Sequence, residues 1–385
     1  MKSSSILILL VFLLSCSTYE QPKLRVIELE GSPYERGLKH GQVLKEEIET
    51  VIRNWMATTE ALTGKRFKDL QVEFLKNARY KDSIFKWNPA LFSEVEGIAE
   101  GSGSDLETIF LFQISEEFDS YLSSTNQYGC TAIGIDKSDA APCYVAQNMD
   151  PPEFLHGFPI LLHIKQNNTD LESYVFTSPG LIALNGINNK AIGIVANGLP
   201  NLYINLEGLP VTFVIRTVLE KTNFEEAIGF LQEVQHAKAQ NYILGDSIRA
   251  ESWECFDGTA VNFTPSENAT ITYHTNIYLG LKHRSNSTYC SRLTTMRDEL
   301  EKRNYSIQLS DIKEILRSTK WNAGRPISHA FTYGSTIMEL SKNPVLYIAP
   351  DQPDKATYLR FDFDNGMQHG RDGIPPRLTP NPVLR

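Results

Sequence analysis

The chain has 385 residues, a formal net charge of −9 at pH 7 and a pI near 5.5. Its lysines and arginines are scattered rather than clustered, which argues against a nucleic-acid-binding surface and favours small molecules as partners. The length is sufficient for one large or two ordinary domains with a sizeable core.

The N-terminus has the layout of an export signal. Lys2 and a serine run precede the apolar stretch Ile6 to Leu14, which is too short to span a bilayer. The sequence Leu13-Leu14-Ser15-Cys16 resembles a bacterial lipobox. We therefore expect residues 1–15 to be removed and Cys16 to carry a lipid that anchors an exported protein to a membrane. The alternative is a plain cleaved signal and secretion.

The chain after this signal begins with a helical region. Ser32 followed by Pro33 and Glu35 is typical of a capped helix start, and the helical periodicity continues to about Met56. The same periodicity predicts further helices over 67–80, 89–99, 106–118, 211–220, 224–234, 291–303 and 311–318.

From Cys130 onward the sequence changes to short apolar runs separated by turn residues. These runs predict strands over 131–135, 143–147, 160–165, 173–177, 182–187, 191–196, 241–244, 252–256, 260–263, 270–274, 335–340 and 345–348. Strands followed by helices and then by strands indicate an α+β fold, with packed α and antiparallel β layers in one globular unit. The proline-rich C-terminal end is expected to be an extended tail.

The dipeptide Gly129-Cys130 stands directly before the first of these strands. If the backbone were cut before Cys130, this residue would carry a thiol with an ordinary pKa of about 8.5 and an α-amine with one of roughly 7.7 to 8.0. The amine could take the thiol proton near neutral pH, so nucleophile and base would share one residue. The alternative is that Cys130 is a small buried apolar residue.

A carboxylate is predicted to lie beside this cysteine. Asp150 ends the strand that follows the one begun by Cys130, so the two residues become neighbours if these strands pair as a hairpin. A carboxylate at this point could accept a hydrogen bond from a protonated amine and hold its geometry. The alternative is a turn aspartate before Pro151-Pro152.

Other catalytic and metal-binding patterns are missing from the sequence. It contains no C-x-x-C pair, no His or Cys cluster at zinc-ligand spacing, no H-E-x-x-H helix and no G-x-S-x-G elbow, so no metal or cofactor is implied. A papain-like protease would need a helix after its cysteine, where this chain predicts a strand. One disulfide among Cys143, Cys255 and Cys290 is left open by the spacing.

Several short motifs occur together in a recognisable order. They are Gly31-Ser32-Pro33-Tyr34-Glu35-x-Gly37-x-x-His40-Gly41, Glu96 to Gly101, Cys130-Thr131, Gln147-Asn148-Met149-Asp150, Asn185 to Asn188 with Gly193 and Asn197, His274-Thr275-Asn276, Ser291-Arg292-Leu293 and Thr336 to Leu340. In this order they resemble the penicillin acyltransferase group of N-terminal-nucleophile hydrolases, which is related to the choloylglycine hydrolases and acid ceramidase. The resemblance covers nearly the whole chain after the signal.

The resemblance implies a four-layer αββα sandwich and self-cleavage at Gly129-Cys130. The products would be a mainly helical α chain of residues 16–129 and a catalytic β chain of residues 130–385. Four further residues match the family's motifs. By this resemblance Asp150 pairs with the N-terminal cysteine, and the Asn276 amide helps to form the oxyanion hole. Asn197 and Arg292 correspond to a second asparagine and to the active-site arginine of the related bile-salt and penicillin V amidases.

The chain departs from the family pattern at two places. Ala146-Gln147 stands where Gly-Arg is common, and Pro151-Pro152 replaces the usual aromatic residue after the acid. The following segment is expected to line the acyl pocket with Phe154, Leu155 and Phe158. These observations predict a self-processing amidase that cleaves a non-peptide or small N-acyl linear amide through a thioester, with an acyltransferase or a non-catalytic ligand-binding surface lipoprotein as alternatives.

Overall fold

The computed structural model of the protein describes residues 23–122, 129–200, 204–256, 258–265, 267–281, 289–322 and 324–368. The export signal predicted over residues 1–15, the lipidation predicted at Cys16 and the tail predicted at the C-terminal end fall outside these ranges. No helix within the described ranges has both the length and the apolar character needed to cross a membrane.

The N-terminal part consists of one strand and a series of helices. These are β1 (Arg25–Leu29), α1 (Pro33–Val43), α2 (Lys45–Thr63), α3 (Phe67–Asn77), α4 (Tyr80–Trp87), α5 (Pro89–Ser102), α6 (Leu106–Gln113) and α7 (Ser115–Tyr121). Ser32 caps α1 as predicted, since its hydroxyl accepts from the Glu35 N–H and the Glu35 carboxylate accepts from the Ser32 N–H. The single helix predicted to reach Met56 is instead interrupted at Leu44, whose φ of −118° is not helical.

Glycine allows α1 and α5 to pack backbone against backbone. A Cβ at Gly37 would lie 1.9 Å from the Glu94 carbonyl oxygen, and one at Gly97 would lie 2.2 Å from a carbonyl oxygen of α1. Gly41 and Gly101 approach the facing helix in the same way one turn further along. Any side chain at these positions would force the two helices apart.

Two sheets follow. Their strands are β2 (Gly129–Ile135), β3 (Cys143–Asp150), β4 (Ile160–Lys165), β5 (Glu172–Thr177), β6 (Asn185–Asn188), β7 (Gly193–Gly198), β8 (Gln240–Gly245), β9 (Ala250–Phe256), β10 (Thr259–Phe263), β11 (Ile271–His274), β12 (Gly334–Leu340), β13 (Val345–Ala349), β14 (Leu359–Asp362) and β15 (Gly366–Gln368). Within the described ranges, one sheet has the order β1-β4-β5-β6-β7-β8-β9-β10 and the other the order β11-β2-β3-β12-β13-β14-β15. Strand β1 pairs in parallel with β4, while β2 and β3 form an antiparallel hairpin.

The sheets pack face to face between layers of helices. A Cβ at Gly134 on β2 would lie 2.9 Å from side-chain atoms of Ile243 and Ala250 in the other sheet, so glycine lets the sheets approach closely here. The remaining helices are α8 (Val211–Val218), α9 (Phe224–Glu233), α10 (Ser291–Lys302) and α11 (Leu309–Leu316). Helices α8 and α9 pack on the eight-stranded sheet, and α10 and α11 share an apolar cluster with β2 and β3 of the other. The predicted α+β class, a four-layer αββα sandwich, is confirmed.

A buried charge cluster joins the N-terminal helices to α8. The Glu94 carboxylate accepts hydrogen bonds from Arg216 at 2.6 and 2.9 Å and from Arg36 at 3.2 and 3.3 Å. Burial alone would raise the pKa of Glu94, but the two guanidinium groups hold it below its ordinary value. Arg216 also donates to the carbonyl of Ile182, so this cluster ties α8 to the segment before β6.

Candidate active site

Cys130 and Asp150 are brought together by the hairpin of β2 and β3. In its antiparallel register Gly129 faces Asp150 and Cys130 faces Met149. The pairing therefore brings the Asp150 side chain next to the backbone of the Gly129-Cys130 bond, where a Cβ on Gly129 would lie 2.9 Å from Asp150 Oδ2. This neighbourhood agrees with the hairpin predicted from the sequence.

Asn276 and Arg292 hold the backbone of Cys130. The Cys130 N–H donates to Asn276 Oδ1 at 2.8 Å, and Arg292 Nη2 donates to the same oxygen at 2.7 Å. Arg292 Nη1 donates to the Cys130 carbonyl and, at 2.9 Å, to Thr131 Oγ1. Asn276 follows β11, which pairs with β2, and Arg292 lies in the first turn of α10. Both backbone polar groups of Cys130 are thus fixed by side chains.

Hydrogen bonds to both the oxygen and the nitrogen of the Asn276 amide fix its orientation. Its oxygen faces the Cys130 N–H and Arg292, and its Nδ2 donates to the carbonyl of Gly198 at 2.8 Å. Because a primary amide has two N–H groups, one donor remains for another acceptor. His274 orders the preceding backbone, since Nδ1 contacts the Thr275 carbonyl at 2.8 Å and Nε2 contacts Glu254.

Asn197 supplies a second amide close to this point. It is fully buried on β7, one residue before Gly198, and its Oδ1 accepts from Asn241 Nδ2 at 3.4 Å. Its own Nδ2 has no hydrogen-bond partner among the described residues. An unpaired buried donor is costly in a folded protein, because it loses its hydrogen bonds to water without gaining a new one.

Asp150 is held by residues that sequence reasoning missed. Thr332 Oγ1 donates to Asp150 Oδ1 at 2.8 Å, and His329 Nε2 lies 3.1 Å from Asp150 Oδ2. The same oxygen lies 4.0 Å from Arg292 Nη1, and the Asp150 side chain is 1% exposed. His329 and Thr332 come from the loop before β12, and no motif around them signals the contact.

The thiol of Cys130 is protonated in the intact chain at neutral pH. Burial and the negative charge of Asp150 raise the pKa of Cys130 to about 12. Glu116 adds to this effect, while a hydrogen bond from the Asp150 backbone and the charge of Arg292 act in the opposite direction. The sulfur therefore needs a nearby base or cation before it becomes a thiolate.

A largely apolar cavity opens beside Cys130. Its wall consists of Gln113, Ser115, Glu116, Cys130, Gln147, Met149, Pro151, Leu155, Leu181, Ala183, Leu184, Ala196, Val211, Thr212 and Ile215. Of the three residues predicted to line an acyl pocket, Leu155 belongs to this wall. Phe154 instead packs against Trp55 and Phe112, and neither it nor Phe158 is among the lining residues.

Within the described ranges no cysteine forms a disulfide. Cys130, Cys143, Cys255 and Cys290 all have free thiols in the structure, and Cys290 Sγ accepts from Thr275 Oγ1 at 3.4 Å. Within the described ranges no three His, Cys, Asp or Glu side chains are arranged to hold a metal ion.

A comparison with models of known protein families gives a match in the region of this site. The model of the family described as Acyl-coenzyme A:6-aminopenicillanic acid acyl-transferase matches residues 138–324, slightly under half of the chain. The matched stretch begins after Cys130 and contains Asp150, Asn197, Asn276 and Arg292. Over this stretch the match agrees with the family resemblance found in the sequence.

Individual relatives are more distant. Protein dcd1A of Dictyostelium discoideum is 31% identical over 109 residues, which cover 24% of this chain and 25% of that protein. The chain thus spans about a quarter of the length of this curated relative.

Three solved structures are similar to parts of this chain at low sequence identity. The Caenorhabditis elegans ortholog of N-acylethanolamine-hydrolyzing acid amidase is 17% identical, with a TM-score of 0.42 over 55% of this chain and 92% of that one. A mutant of conjugated bile acid hydrolase from Clostridium perfringens is 14% identical, with a TM-score of 0.40 over 66% and 100% of the two chains. Penicillin V acylase from Agrobacterium tumefaciens is 11% identical, with a TM-score of 0.36 over 61% and 86%.

Proposed function

We propose that this protein is a self-processing amidohydrolase whose nucleophile is Cys130 after the Gly129–Cys130 bond is cut. The observation that carries the proposal is the 2.8 Å hydrogen bond from the Cys130 N–H to Asn276 Oδ1, an oxygen also bound by Arg292. A strand N–H ordinarily bonds to the backbone of a neighbouring strand. Here the partner is a side-chain oxygen, which could equally accept a hydrogen bond from a free α-amine at the same place.

The proposed cut begins when the Cys130 sulfur attacks the Gly129 carbonyl carbon. A carbon–sulfur bond forms, the carbon–nitrogen bond to Cys130 breaks, and the thiol proton goes to the departing nitrogen. Water then hydrolyses the thioester, which frees the thiol and leaves Gly129 with a carboxylate. Glycine supports this step because it leaves its carbonyl unshielded and leaves room for Asp150 Oδ2.

The cut would change the electrostatics of the thiol. In the intact chain burial and Asp150 raise the pKa of Cys130. A new α-amine beside the sulfur carries a positive charge when protonated, and an opposite charge lowers a thiol pKa. The amine could then accept the thiol proton and later pass it to the leaving amine of a substrate.

Two amides support the negative oxygen that forms when a substrate carbonyl is attacked. Asn197 has an unpartnered buried Nδ2, and Asn276 has one N–H beyond its bond to Gly198. A positioned donor of this kind is worth about 3–4 kcal/mol of transition-state stabilisation. We propose that these side chains bind the oxyanion, while Asp150 and Arg292 hold Cys130.

The cavity favours an apolar acyl group. Met149, Leu155 and Leu181 contribute apolar side chains to the cavity wall. The polar wall residues Gln113 and Thr212 form hydrogen bonds with backbone groups of the protein. The proposed substrate is therefore a non-peptide or small N-acyl linear amide. If the predicted export occurs, water is the abundant acceptor outside the cell and hydrolysis is the expected outcome.

Intact-mass measurement of the purified protein tests the cut. We expect two chains, one ending at Gly129 and one beginning at Cys130, and a single chain for Cys130→Ala. Cys143→Ala, which removes a buried thiol elsewhere on the hairpin, is the matched control and should be cut normally. A panel of N-acyl amides, with product masses recorded with and without added amines, then separates hydrolysis from acyl transfer. An uncut wild-type chain without thiol-dependent turnover would contradict the proposal.

A further inference from the structure

We propose that His329 is a positioning residue that fixes the Asp150 carboxylate toward the amine of Cys130. This inference rests on the function proposed above, in which Cys130 acquires a free amine. The His329 side chain is 8% exposed, and its Nε2 lies 3.1 Å from Asp150 Oδ2. The contact joins the loop before β12 to the end of β3.

The backbone determines which ring nitrogen carries the proton. The N–H of Phe331 donates to His329 Nδ1 at 3.1 Å, so Nδ1 acts as the acceptor. A neutral imidazole has one donor and one acceptor nitrogen, which places its proton on Nε2. His329 Nε2 therefore donates the hydrogen bond to Asp150 Oδ2.

The loop holds both carboxylate oxygens. His329 binds Oδ2, and Thr332 donates to Oδ1 at 2.8 Å from only three residues further along. With both oxygens bound, rotation of the carboxylate costs hydrogen bonds in a site where water cannot replace them. The guanidinium of Arg292 lies 4.0 Å from Oδ2 and attracts the Asp150 carboxylate, but it also donates hydrogen bonds to Cys130 and Asn276.

The oxygen that His329 binds is also the one nearest the proposed cut. Asp150 Oδ2 would lie 2.9 Å from a Cβ on Gly129, so it lies beside Gly129. Cleavage of the bond after Gly129 creates the proposed amine of Cys130. If His329 is lost, Oδ2 loses this hydrogen bond, and the carboxylate is held less firmly by the Thr332 bond to Oδ1. We therefore expect the main effect on the chemical step rather than on substrate binding in the cavity, whose lining residues do not include His329.

Three substitutions of His329 separate the hydrogen bond from the space that the ring fills. His329→Gln retains an N–H donor at nearly the reach of Nε2, His329→Asn has the same amide one bond shorter, and His329→Leu has no donor. Turnover of hexanoyl 4-nitroanilide is measured by the release of 4-nitroaniline, and alkylation of Cys130 by iodoacetamide gives a rate that is independent of substrate. His163→Gln, at a histidine bonded to Glu28 and Glu172, is the control outside the site.

We expect His329→Leu and His329→Asn to lower kcat by about 10- to 100-fold with KM little changed, and His329→Gln to recover most of the loss. Alkylation of Cys130 should slow in the same order, and His163→Gln should behave as the wild type. Equal kcat in the wild type, the Gln variant and the Asn variant would overturn the inference, as would an equal loss in the Gln and Asn variants. A wild type that is neither cut nor active contradicts the proposed function itself, whereas an active wild type with unaffected variants removes only the role of His329.

Discussion

Glu94→Gln removes the negative charge between two buried guanidinium groups and should destabilise the entire fold. The side chains of Glu94, Arg36 and Arg216 are 0%, 5% and 3% exposed, so water cannot replace the lost interactions. Removing one partner of a buried ion pair costs about 3–5 kcal/mol of unfolding free energy. Glutamine keeps the shape and one acceptor oxygen, so we expect about 3 kcal/mol, the lower end of that range.

The pH dependence of the stabilisation by Glu94 follows from the direction in which its pKa is shifted. The arginines hold the pKa of Glu94 below its ordinary value despite burial. Its stabilising effect is therefore present above the unfolded-state pKa of about 4.3, and it is lost as the pH falls through the lower folded-state pKa. Measurements at neutral pH record the full difference between Glu94 and glutamine.

Urea unfolding followed by tryptophan fluorescence measures this difference, because Trp55 is completely buried in the same part of the fold. The experiment is done in a Cys130→Ala background so that the chain stays single. Glu49→Gln is the matched control, since Glu49 forms an exposed pair with Arg53 at 3.7 Å and should change stability by less than about 0.5 kcal/mol. A loss for Glu94→Gln no larger than that for Glu49→Gln would refute the reasoning.

Three further predictions concern the site and its surroundings. Gly129→Ala should slow the cut, because its Cβ would lie 2.9 Å from Asp150 Oδ2, which is held by hydrogen bonds. Gly229→Ala is the control, because a Cβ there meets no atom within 4 Å. Equal cleavage of the two variants on denaturing gels would contradict this prediction. Burial raises the pKa of Glu117 to about 7, so its contribution to stability is fully present below about pH 4.3 and declines by about 3 kcal/mol as the pH rises to 7. Glu117→Gln should flatten this decline in urea midpoints measured at pH 5 and pH 8, and an unchanged decline would assign it to other groups. Asn197→Ala should lower kcat of the processed enzyme by about 10²–10³-fold with KM little changed, and undiminished turnover would exclude Asn197 from oxyanion binding.

The sequence was sufficient to predict the neighbourhood of Cys130 and Asp150 because it is local. Cys130 lies at the start of β2 and Asp150 at the end of the paired strand β3. A one-residue slip of that pairing would turn every side chain to the opposite face. The capping box at Ser32 was predictable for the same reason, since its bonds span a single turn. Strand β1 was not predicted, because it is stabilised by parallel pairing with β4 on the far side of many intervening elements.

The contacts that complete the site are non-local and carry no sequence signal of their own. His329 and Thr332 are 179 and 182 residues from Asp150 along the chain. Their contact depends on the packing of β12 against β3, which composition and periodicity do not specify. The cavity wall is non-local for the same reason, since its residues come from the N-terminal helices, from both sheets and from α8.

The proposed cut divides a unit whose two parts are held together by many other contacts. Strand β1 from the N-terminal part pairs with β4 over five residue pairs. The Glu94–Arg216 pair crosses the same boundary in the buried core, and Gln113 binds the backbone at Gly180 and Ile182. Gln113 also lines the cavity beside Cys130, so both parts are needed to build the site. Breaking one peptide bond would therefore release the Cys130 amine without releasing the N-terminal part.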